Sequence, residues 1–491
     1  MATQSDAPVE QRPSSGLDAY FHISERGSTV ERELRGGLAT FFTMAYIVVL
    51  NPLILGGAQD AGGQRLDLGQ LTTSTALVAA VMTLLMGVWG RYPFAIAAGL
   101  GLNAVVAFQL ASQMSWPDAM GLVVLEGLLI TLLVLTGLRT AVMDAIPLAL
   151  KQSIGVGIGL FIAFIGLVDA GFVRRIPDAA GTVVPVELGI GGRLMGWPTV
   201  VFCFGLLLTI VLVARRVRGA ILLSIVATTI FAIIVNAIAD VPPRVDAAGN
   251  VTPTGWGLTV PRLPDSLVGS PDFGLVGNFS LTGGFVEAGV LVAVLFVFTL
   301  MLSDFFDTMG TVIGVGNEAG LLDREGRLPG ISNVLLVDSV AAAAGGAASC
   351  SSNTTYIESA AGVGEGARTG LASVVTALLF VVALFLTPLV EVVPYEAASP
   401  VLVVVGFLLM VQVRHIPWDD FDLAIPAFLT IVLMPFTFSI TNGIGAGFIA
   451  YVVIKAVRGR WREPGPLIWG IALAFLIYFA IDPVERLLGI G

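Results

Sequence analysis

Charged residues are scarce in this sequence. Only 12% of its 491 residues are Asp, Glu, Lys or Arg, whereas a soluble domain carries about a quarter. Lysine is scarcer still, because Lys151 and Lys455 are the only two and arginine supplies nearly all of the 25 basic residues. This composition excludes a water-soluble enzyme of this length.

Cysteine and histidine are also nearly absent. Cys203 and Cys350 lie in apolar runs far apart in the chain, so they give neither a disulfide framework nor metal-ligand spacing. His22 and His415 lie in polar terminal or loop positions, and no HExxH, GxxxxGKS or GxSxG motif is present. An intramembrane enzyme is therefore disfavoured, and a channel stays open as an alternative to a carrier.

Apolar residues make up 56% of the chain, and the mean hydropathy is +0.91. Since each membrane crossing takes about 20 apolar residues, we predict an all-α polytopic membrane protein with about 14 transmembrane segments. A further stretch, Leu467 to Ile481, can span the membrane, re-enter it or lie at its interface. The fourteen runs begin near Gly37, Leu71, Phe94, Asp118, Met143, Trp197, Ala220, Phe285, Ile331, Thr354, Leu371, Ser399, Phe421 and Ile444.

The arginines predict the orientation of these runs. With the N-terminus inside, most arginines fall on cytoplasmic loops or segment ends, as the positive-inside rule requires. The main exceptions are Arg174 and Arg175. The N-terminal region lacks the apolar stretch of a secretory signal. We therefore expect a multi-pass protein of the cell inner (plasma) membrane with a cytoplasmic N-terminus.

Two of the fourteen runs are short and interrupted by glycine. They are the third run around Ala98 to Asn103 and the tenth run from Ser349 to Gly366, SCSSNTTYIESAAGVGEG. Corresponding broken segments in two halves are typical of inverted-repeat transporters, whose substrate lies between half-helix ends near the membrane midplane. Seven runs per half, an odd number, require the second half to be inverted. The alternative is that these glycines only allow close helix packing.

Acidic side chains lie within the apolar runs, where an ionised carboxylate costs about 2.5–3.5 kcal/mol on insertion scales. Asp304 and Asp307 lie at the end of the eighth run, three residues apart, so both should project toward one helix face. Glu358 lies on the second broken run, and Asn103 occupies the equivalent place on the first. Residues kept at such a cost are functional candidates.

These groups match a planar, neutral, hydrogen-bonding ligand. A carboxylate accepts hydrogen bonds from ring N–H groups, and an amide offers a donor beside an acceptor. Half-helix N-termini add backbone donors, and Phe305, Phe306 or Tyr356 can stack on a ring. The predicted substrate-binding residues are Asn103, Asp304, Asp307, Thr354, Thr355 and Glu358.

Structural roles stay open beside these functional ones. Asp307, near Thr308 and Gly310, fits a helix cap at the end of the eighth run as well as a ligand contact. The remaining intramembrane charges are interpreted as structural, in hydrogen bonds or ion pairs. They are Glu126, Asp144, Asp338, Glu365 and Arg368.

A buried carboxylate is also a natural proton carrier, because burial favours its neutral form. A proton moving down about 100 mV releases about 2.3 kcal/mol, and one pH unit adds about 1.4 kcal/mol. That sum supports an accumulation of several hundred-fold for a neutral substrate. We therefore expect H⁺ as the coupling ion, carried by Glu358 or Asp304, with no other cofactor and no metal.

Five strings together resemble the AzgA-like purine permeases, which belong to the wider nucleobase:cation symporter and nucleobase–ascorbate transporter group. The resemblance extends from about Arg35 to Arg460. The strings are GLATFFTMAYIVVLNP (Gly37 to Pro52), GLGLNAVVAF (Gly99 to Phe108), LKQSIGVGIGLFIAFIGL (Leu150 to Leu167), DFFDTMGTVIGVG (Asp304 to Gly316) and TTYIESAAGVGEGARTGLASVVTALLF (Thr354 to Phe380).

The resemblance implies seven plus seven inverted segments arranged as a core domain and a gate domain, with short antiparallel strands in segments 3 and 10. It places purine between the two domains, at positions matched here by Asn103, Asp304, Asp307 and Glu358, and implies a homodimer through the gate domains. The predicted core domain comprises residues 36–140 and 284–390, and the predicted gate domain comprises residues 141–239 and 391–460. Residues 1–35 are predicted to form a polar cytoplasmic N-terminal segment, and residues 461–491 a C-terminal apolar segment. Residues 240–283 are predicted to form an extracytoplasmic polar insert, which is expected to be peripheral.

The resulting hypothesis is a secondary active importer of hypoxanthine, guanine or adenine, driven by proton symport and alternating access between core and gate. Its partners are the purine and the lipid bilayer, with no nucleic acid. A uracil/xanthine or anion carrier of the same fold is the alternative. An anion site should prefer arginine or bare helix N-termini over central acidic residues.

Overall fold

The computed structural model describes residues 16–138, 145–176, 185–246, 250–264, 266–323 and 327–488, and these ranges are mostly helical. Nine of the described helices are long and apolar enough to cross a membrane, and shorter apolar helices accompany them. The predicted start at Met143 and the carboxylate of Asp144 lie outside the described residues.

We number the membrane segments in chain order, and each predicted run that lies in the described part has its counterpart. Segments 1 to 7 are Val30–Gly57, Leu68–Gly90, 96–110, Trp116–Leu135, Leu148–Asp169, Trp197–Ala214 and Ala220–Ala239. Segments 8 to 14 are Val290–Glu318, Ile331–Ala347, 353–364, Gly370–Ala383, Tyr395–His415, Phe421–Phe436 and Ile440–Val457.

Several segments are built from more than one piece. Segment 1 consists of helices Val30–Met44 and Ile47–Gly57, and segment 12 ends in a 3₁₀ turn, Val411–His415. Segments 2 and 3 end in π-helical turns, Met86–Gly90 and Val106–Leu110. The short helices outside the segments are Leu17–Phe21, Gly283–Glu287 and Thr387–Glu391.

Side chains cap the N-termini of helices in both halves of the chain. Thr29 accepts a hydrogen bond from a backbone N–H of segment 1, and Asp67 does so for segment 2. Thr369, Asp420 and Ser439 do the same for segments 11, 13 and 14. Each cap satisfies one of the N–H groups that the first turn of a helix leaves without an intrahelical acceptor.

Segments 3 and 10 are broken, as predicted. Strand β1 (Ile96–Ala98) opens segment 3 and pairs antiparallel with β4 (Asn353–Thr355), which opens segment 10. Ile96 pairs with Thr355 and Ala98 with Asn353. Helix Leu100–Val105 then completes segment 3, and helix Ser359–Gly364 completes segment 10. A second pair, β2 (Val173–Arg175) and β3 (Val186–Leu188), lies between segments 5 and 6.

The segments pack in two groups. In the first group, segment 11 packs on segments 1 and 2, and segment 4 packs on segments 8 and 9. In the second group, segment 5 packs on segments 12 and 13, and segment 6 packs on segments 7 and 12. The division into a core and a gate domain stays a prediction.

Segment 8 is longer than the sequence suggested. It is one helix of 29 residues that continues to Glu318, so Asp307 lies inside the helix and the capping interpretation is wrong. Gly310 and Gly314 are accommodated within it, because glycine is tolerated in membrane helices. The two aspartates also differ in environment, since Asp304 is fully buried and Asp307 is exposed.

Both ends of the chain contribute helices. Leu17–Phe21 and the first turns of segment 1 fall within the predicted N-terminal segment, so the first membrane helix starts earlier than predicted. The apolar stretch near the C-terminus forms helix Pro466–Leu488, which packs on segments 14 and 8. Ile468 and Phe475 of this helix are fully buried.

The insert between segments 7 and 8 reaches into the protein and is not merely peripheral. Trp256 is fully buried, and its Nε1–H donates to Asn236 Oδ1 at 2.9 Å. Arg244 donates to the carbonyl oxygen of Asp169 at 3.2 Å and pairs with the buried Glu396 at 3.1 Å. These contacts join the insert to segments 5, 7 and 12.

Trp256→Ala tests this anchoring. The substitution removes a buried ring and the hydrogen bond to Asn236, so we expect it to lower the free energy of unfolding by about 3–5 kcal/mol. Thermal unfolding of the purified protein in detergent measures the change. Trp461→Ala is the matched control, because Trp461 is exposed. Equal destabilisation by the two substitutions would contradict the anchoring role.

Candidate functional site

The strand pair at the centre of the protein is held on both outer edges by side chains from neighbouring helices. On the β1 edge, Thr83 of segment 2 accepts from the N–H of Ile96 at 2.9 Å and donates to its carbonyl oxygen at 3.0 Å. On the β4 edge, Asp338 of segment 9 accepts from the N–H of Thr355 at 2.9 Å. Extended backbone at membrane depth requires such partners, because lipid offers none.

Asp338 also connects β4 to segment 8. It accepts from the hydroxyl of Thr355 at 2.8 Å and from that of Thr308 at 2.6 Å, and the Thr308 and Thr354 hydroxyls lie 2.8 Å apart. The structural interpretation of Asp338 therefore agrees with the geometry. The hydroxyls of Thr354 and Thr355, predicted to contact substrate, here fix the strand to segments 8 and 9.

Glu358 lies at the start of the half-helix that follows β4. Its carboxylate accepts a hydrogen bond from the hydroxyl of Tyr46, which lies at the break between the two helices of segment 1. Tyr46 is almost fully buried, and Glu358 is half-buried. Thr43 donates to the carbonyl oxygen of Glu358 at 3.4 Å. Segment 1 therefore positions this glutamate.

Asn103 belongs to a chain of buried amides. Its Nδ2 donates to Asn51 Oδ1 at 3.1 Å, and Asn51 Nδ2 donates to Thr75 Oγ1 at 2.9 Å and to the Cys350 carbonyl oxygen at 3.1 Å. Asn103 is fully buried, and its Oδ1 has no hydrogen-bond partner within the described residues. This buried amide oxygen is therefore an acceptor that the described residues leave unused in this conformation.

A cavity of about 420 Å³ lies beside these elements, between segments 3, 5, 8, 10 and 12. Its polar groups come from Lys151, Ser303, Asp307, Thr311 and Gln412. Its other lining residues are Gly101, Leu102, Ile154, Gly155, Ile158, Phe306, Gly310, Ile357, Leu408 and Leu409. A mostly apolar cavity with a few convergent polar groups is the usual form of a small-molecule site.

The cavity lies between the two packing groups. Asp307 and Phe306 come from segment 8 of the first group, whereas Lys151 and Gln412 come from segments 5 and 12 of the second. Lys151 Nζ lies 5.9 Å from the centroid of the Phe306 ring. Acidic, basic, amide and aromatic groups therefore converge on one space, which suits a planar polar ligand.

Of the predicted substrate residues, Asp307 lines the cavity directly. Glu358 and Asn103 each follow a lining residue, Ile357 and Leu102 respectively. Asp304 is fully buried, three residues before Asp307 and on the helix face of Thr308. The two aspartates therefore lie in different environments in this structure, one buried and the other lining the cavity.

Four polar residues at or near the site were missed by sequence reasoning. Tyr46 and Asn51 are polar positions within the apolar run of segment 1, and Lys151 is one of only two lysines. Gln412 lies at the end of segment 12. The scarcity of polar residues in these segments was the available signal, because a polar side chain kept at membrane depth is costly.

The other charged residues that were interpreted as structural make such contacts where the structure describes them. Glu126 accepts from Ser352 at 3.1 Å, next to β4. Glu365 forms an ion pair with Arg218, and Arg368 donates to the Val363 carbonyl oxygen at 2.8 Å. Among the described residues, no cluster of three or more His, Cys, Asp or Glu could hold a metal ion.

Comparison with known proteins identifies the family. The profile of the Permease family, Xan_ur_permease, matches residues 31–445. Guanine/hypoxanthine permease PbuO of Bacillus subtilis (strain 168) is 39% identical over 467 residues, which cover 94% of this chain and 100% of that protein. Adenine permease AdeP of Escherichia coli (strain K12) is 36% identical over 468 residues, which cover 94% and 95%. This chain belongs to the Permease family.

Solved structures share the fold of this permease. The transmembrane domain of the cyanobacterial bicarbonate transporter BicA superposes with a TM-score of 0.56 at 13% identity, covering 85% of this chain and 97% of that one. Murine Slc26a9, an anion transporter, superposes with a TM-score of 0.58 at 10% identity, covering 91% and 74%. The predicted fold of seven plus seven segments with paired strands is confirmed, and the permease is a membrane transporter and not an enzyme.

Asp338→Asn tests how the permease holds its strand pair. An amide NH₂ cannot accept from Thr308 or Thr355, so we expect a loss of about 1–3 kcal/mol of stability, measured by thermal unfolding in detergent. Asp272→Asn is the control, since Asp272 is exposed and accepts from Gln70 at 3.1 Å. If both variants unfold at the wild-type temperature, the Asp338 contacts do not stabilise the fold.

Proposed function

We propose that this permease imports purine nucleobases. The cavity between the two packing groups carries the proposal, because it brings Asp307, Lys151, Gln412 and Phe306 around one space of ligand size. Two relatives that align over nearly their full length are a guanine/hypoxanthine permease and an adenine permease, which supports the same substrate class. Hypoxanthine, guanine and adenine are the candidates.

A purine matches the chemistry of this lining. Its ring N–H groups donate to a carboxylate such as Asp307, and its ring nitrogens and carbonyl oxygen accept from Lys151. The Gln412 amide can donate and accept along one edge of the heterocycle. Phe306 offers a ring face for stacking. Each end of the planar ligand therefore meets a complementary group.

Asn103, Asp304 and Glu358 complete the proposed site. Asn103 keeps an unpartnered amide oxygen among the described residues, and Glu358 directly follows the lining residue Ile357. In the proposal these groups contact the purine as the two packing groups move relative to each other. Residues 36–140 and 284–390 would form the core, and residues 141–239 and 391–460 the gate.

Proton symport is the proposed energy source. Glu358 accepts a hydrogen bond from Tyr46, and Asp304 is fully buried one helical turn before Asp307. A proton bound to either carboxylate would cancel its charge during the conformational change, when a charge in a dry environment is costly. Alternating access would then carry the substrate and the proton together across the membrane.

The proposal also covers placement and assembly. The charge pattern favours a cytoplasmic N-terminus in the cell inner membrane. In this orientation segment 5 would begin on the cytoplasmic side, and the cavity, lined by Lys151 near the start of that segment, would open toward the cytoplasm. Two copies would associate through their gate domains.

Substrate uptake tests the site. In cells lacking their own purine carriers, we expect Glu358→Gln and Asp304→Asn to abolish uptake of radiolabelled hypoxanthine and adenine. Asp307→Asn loses a charged hydrogen-bond acceptor worth about 1.5–3 kcal/mol, so KM should rise about tenfold to a hundredfold.

The matched controls are Glu391→Gln and Asp272→Asn, which change exposed carboxylates outside the membrane segments. Unchanged KM in all three site variants would refute the assignment. Competition by uracil, xanthine or bicarbonate but not by hypoxanthine, guanine or adenine would instead support the alternative carrier.

Proton coupling is tested in proteoliposomes. With wild-type protein, an inward proton gradient should drive hypoxanthine accumulation, and a protonophore should abolish it. If Glu358 carries the proton, Glu358→Gln should abolish accumulation, and Tyr46→Phe, which removes only the hydroxyl, should shift the pH at which uptake is half-maximal. Accumulation that follows a sodium gradient and resists the protonophore would overturn proton symport.

A further inference from the structure

A groove separate from the substrate cavity lies at the periphery of the helix bundle. It encloses about 450 Å³ between segments 1 and 7, and no described residue lines both this groove and the substrate cavity. Its lining residues are Arg35, Leu38, Ala39, Phe42, Arg218, Gly219, Leu222, Leu223 and Glu365. Apolar side chains form its walls, and charged ones lie at the ends of the segments.

The apolar walls face the surroundings of the protein. Leu38 is 41% exposed, Phe42 53% and Leu223 50%. Exposed apolar residues continue along segment 7 at spacings of three or four, which is one face of a helix. They are Leu223, Val226, Ile230, Ile234 and Ile238. Such a face is suited to acyl chains of the bilayer.

The charged end of the groove is basic. Arg35 and Arg218 line it with side chains that are 54% and 76% exposed. Arg35 pairs with Glu31 and Arg218 pairs with Glu365, and the exposed Arg215 and Arg216 precede Arg218 in the chain, so this end carries four arginines and two glutamates. A guanidinium has five N–H groups, so Arg218 retains donors beyond its ion pair with Glu365.

The first turn of segment 7 adds a second feature that favours an anion. The helix begins at Ala220, directly after Arg218 and Gly219, and no described side chain caps it. Its first N–H groups and its dipole therefore favour a negative group at this end. Arginine is also the side chain that best matches a phosphate.

We propose that this groove binds an anionic phospholipid. The phosphate would lie between Arg35 and Arg218 at the start of segment 7, and an acyl chain would follow Leu38, Phe42 and Leu223. Basic pockets between membrane helices are suited to lipid headgroups. The apolar wall distinguishes a lipid from a soluble anion, which would need the arginines alone.

Charge also disfavours a second copy of this chain as the occupant. In a twofold contact centred on the groove, the same patch would meet itself, so the arginine clusters would face each other. Like charges at such a contact repel. A phospholipid instead brings negative charge to an end where four arginines outnumber two glutamates.

Thermal unfolding of the purified full chain tests the proposal. The protein in detergent is supplemented with phosphatidylglycerol, phosphatidylcholine or inorganic phosphate, because a ligand of the native state raises its stability. We expect phosphatidylglycerol to raise the melting temperature above the value in phosphatidylcholine, and phosphate to have no effect. The doubly substituted Arg35→Gln, Arg218→Gln protein should lose at least half of that lipid-specific increase.

Two further variants serve as controls. Arg414→Gln changes an exposed arginine at the end of segment 12, outside the groove, and should respond to phosphatidylglycerol like the wild type. Arg35→Lys with Arg218→Lys keeps both charges and should retain most of the increase, which separates loss of binding from misfolding.

Three results would overturn the proposal. They are an undiminished response in the glutamine double variant, equal stabilisation by inorganic phosphate, and a change in the number of associated copies of that variant in light scattering. The second result would indicate a soluble-anion site, and the third a contact between subunits.

Discussion

The fold depends on satisfying backbone hydrogen bonds where the chain leaves helical structure inside the membrane. Lipid cannot pair with an exposed N–H or carbonyl group, so the extended stretches in segments 3 and 10 pair with each other. Thr83 and Asp338 then complete the two outer edges of the pair from segments 2 and 9. Segments 2 and 9 occupy the same position in the two repeats, so each repeat satisfies the backbone hydrogen bonds of its strand edge with a different side chain.

This solution also determines where functional groups lie. Because two helices begin directly after the strands, Asn103 and Glu358 follow β1 and β4 at the centre of the protein. Segment 1 supports both positions, since Asn51 accepts from Asn103 and Tyr46 donates to Glu358. A change in segment 1 therefore acts on the candidate site without touching the cavity.

The number of segments and the two broken ones were predictable, since apolar length and misplaced polarity are local properties of the sequence. Tertiary contacts were harder to predict from the sequence. Gly310 resembled a helix end, yet segment 8 continues to Glu318 because glycine is compatible with a membrane helix. Lys151 and Gln412 reach the cavity only through the packing of segments 5 and 12 on the first group, which no spacing in the sequence encodes.

Asp304 and Asp307 lie about one helical turn apart and differ in their exposure. Three residues span about 300° of a helix, so the two side chains point about 60° apart, enough to place Asp304 toward the interior and Asp307 in the cavity. The exposed carboxylate is accessible to a ligand in this conformation. The buried one is not, so any contact between Asp304 and substrate requires segment 8 to move against its neighbours, and substrate binding at that residue is then tied to the conformational change itself.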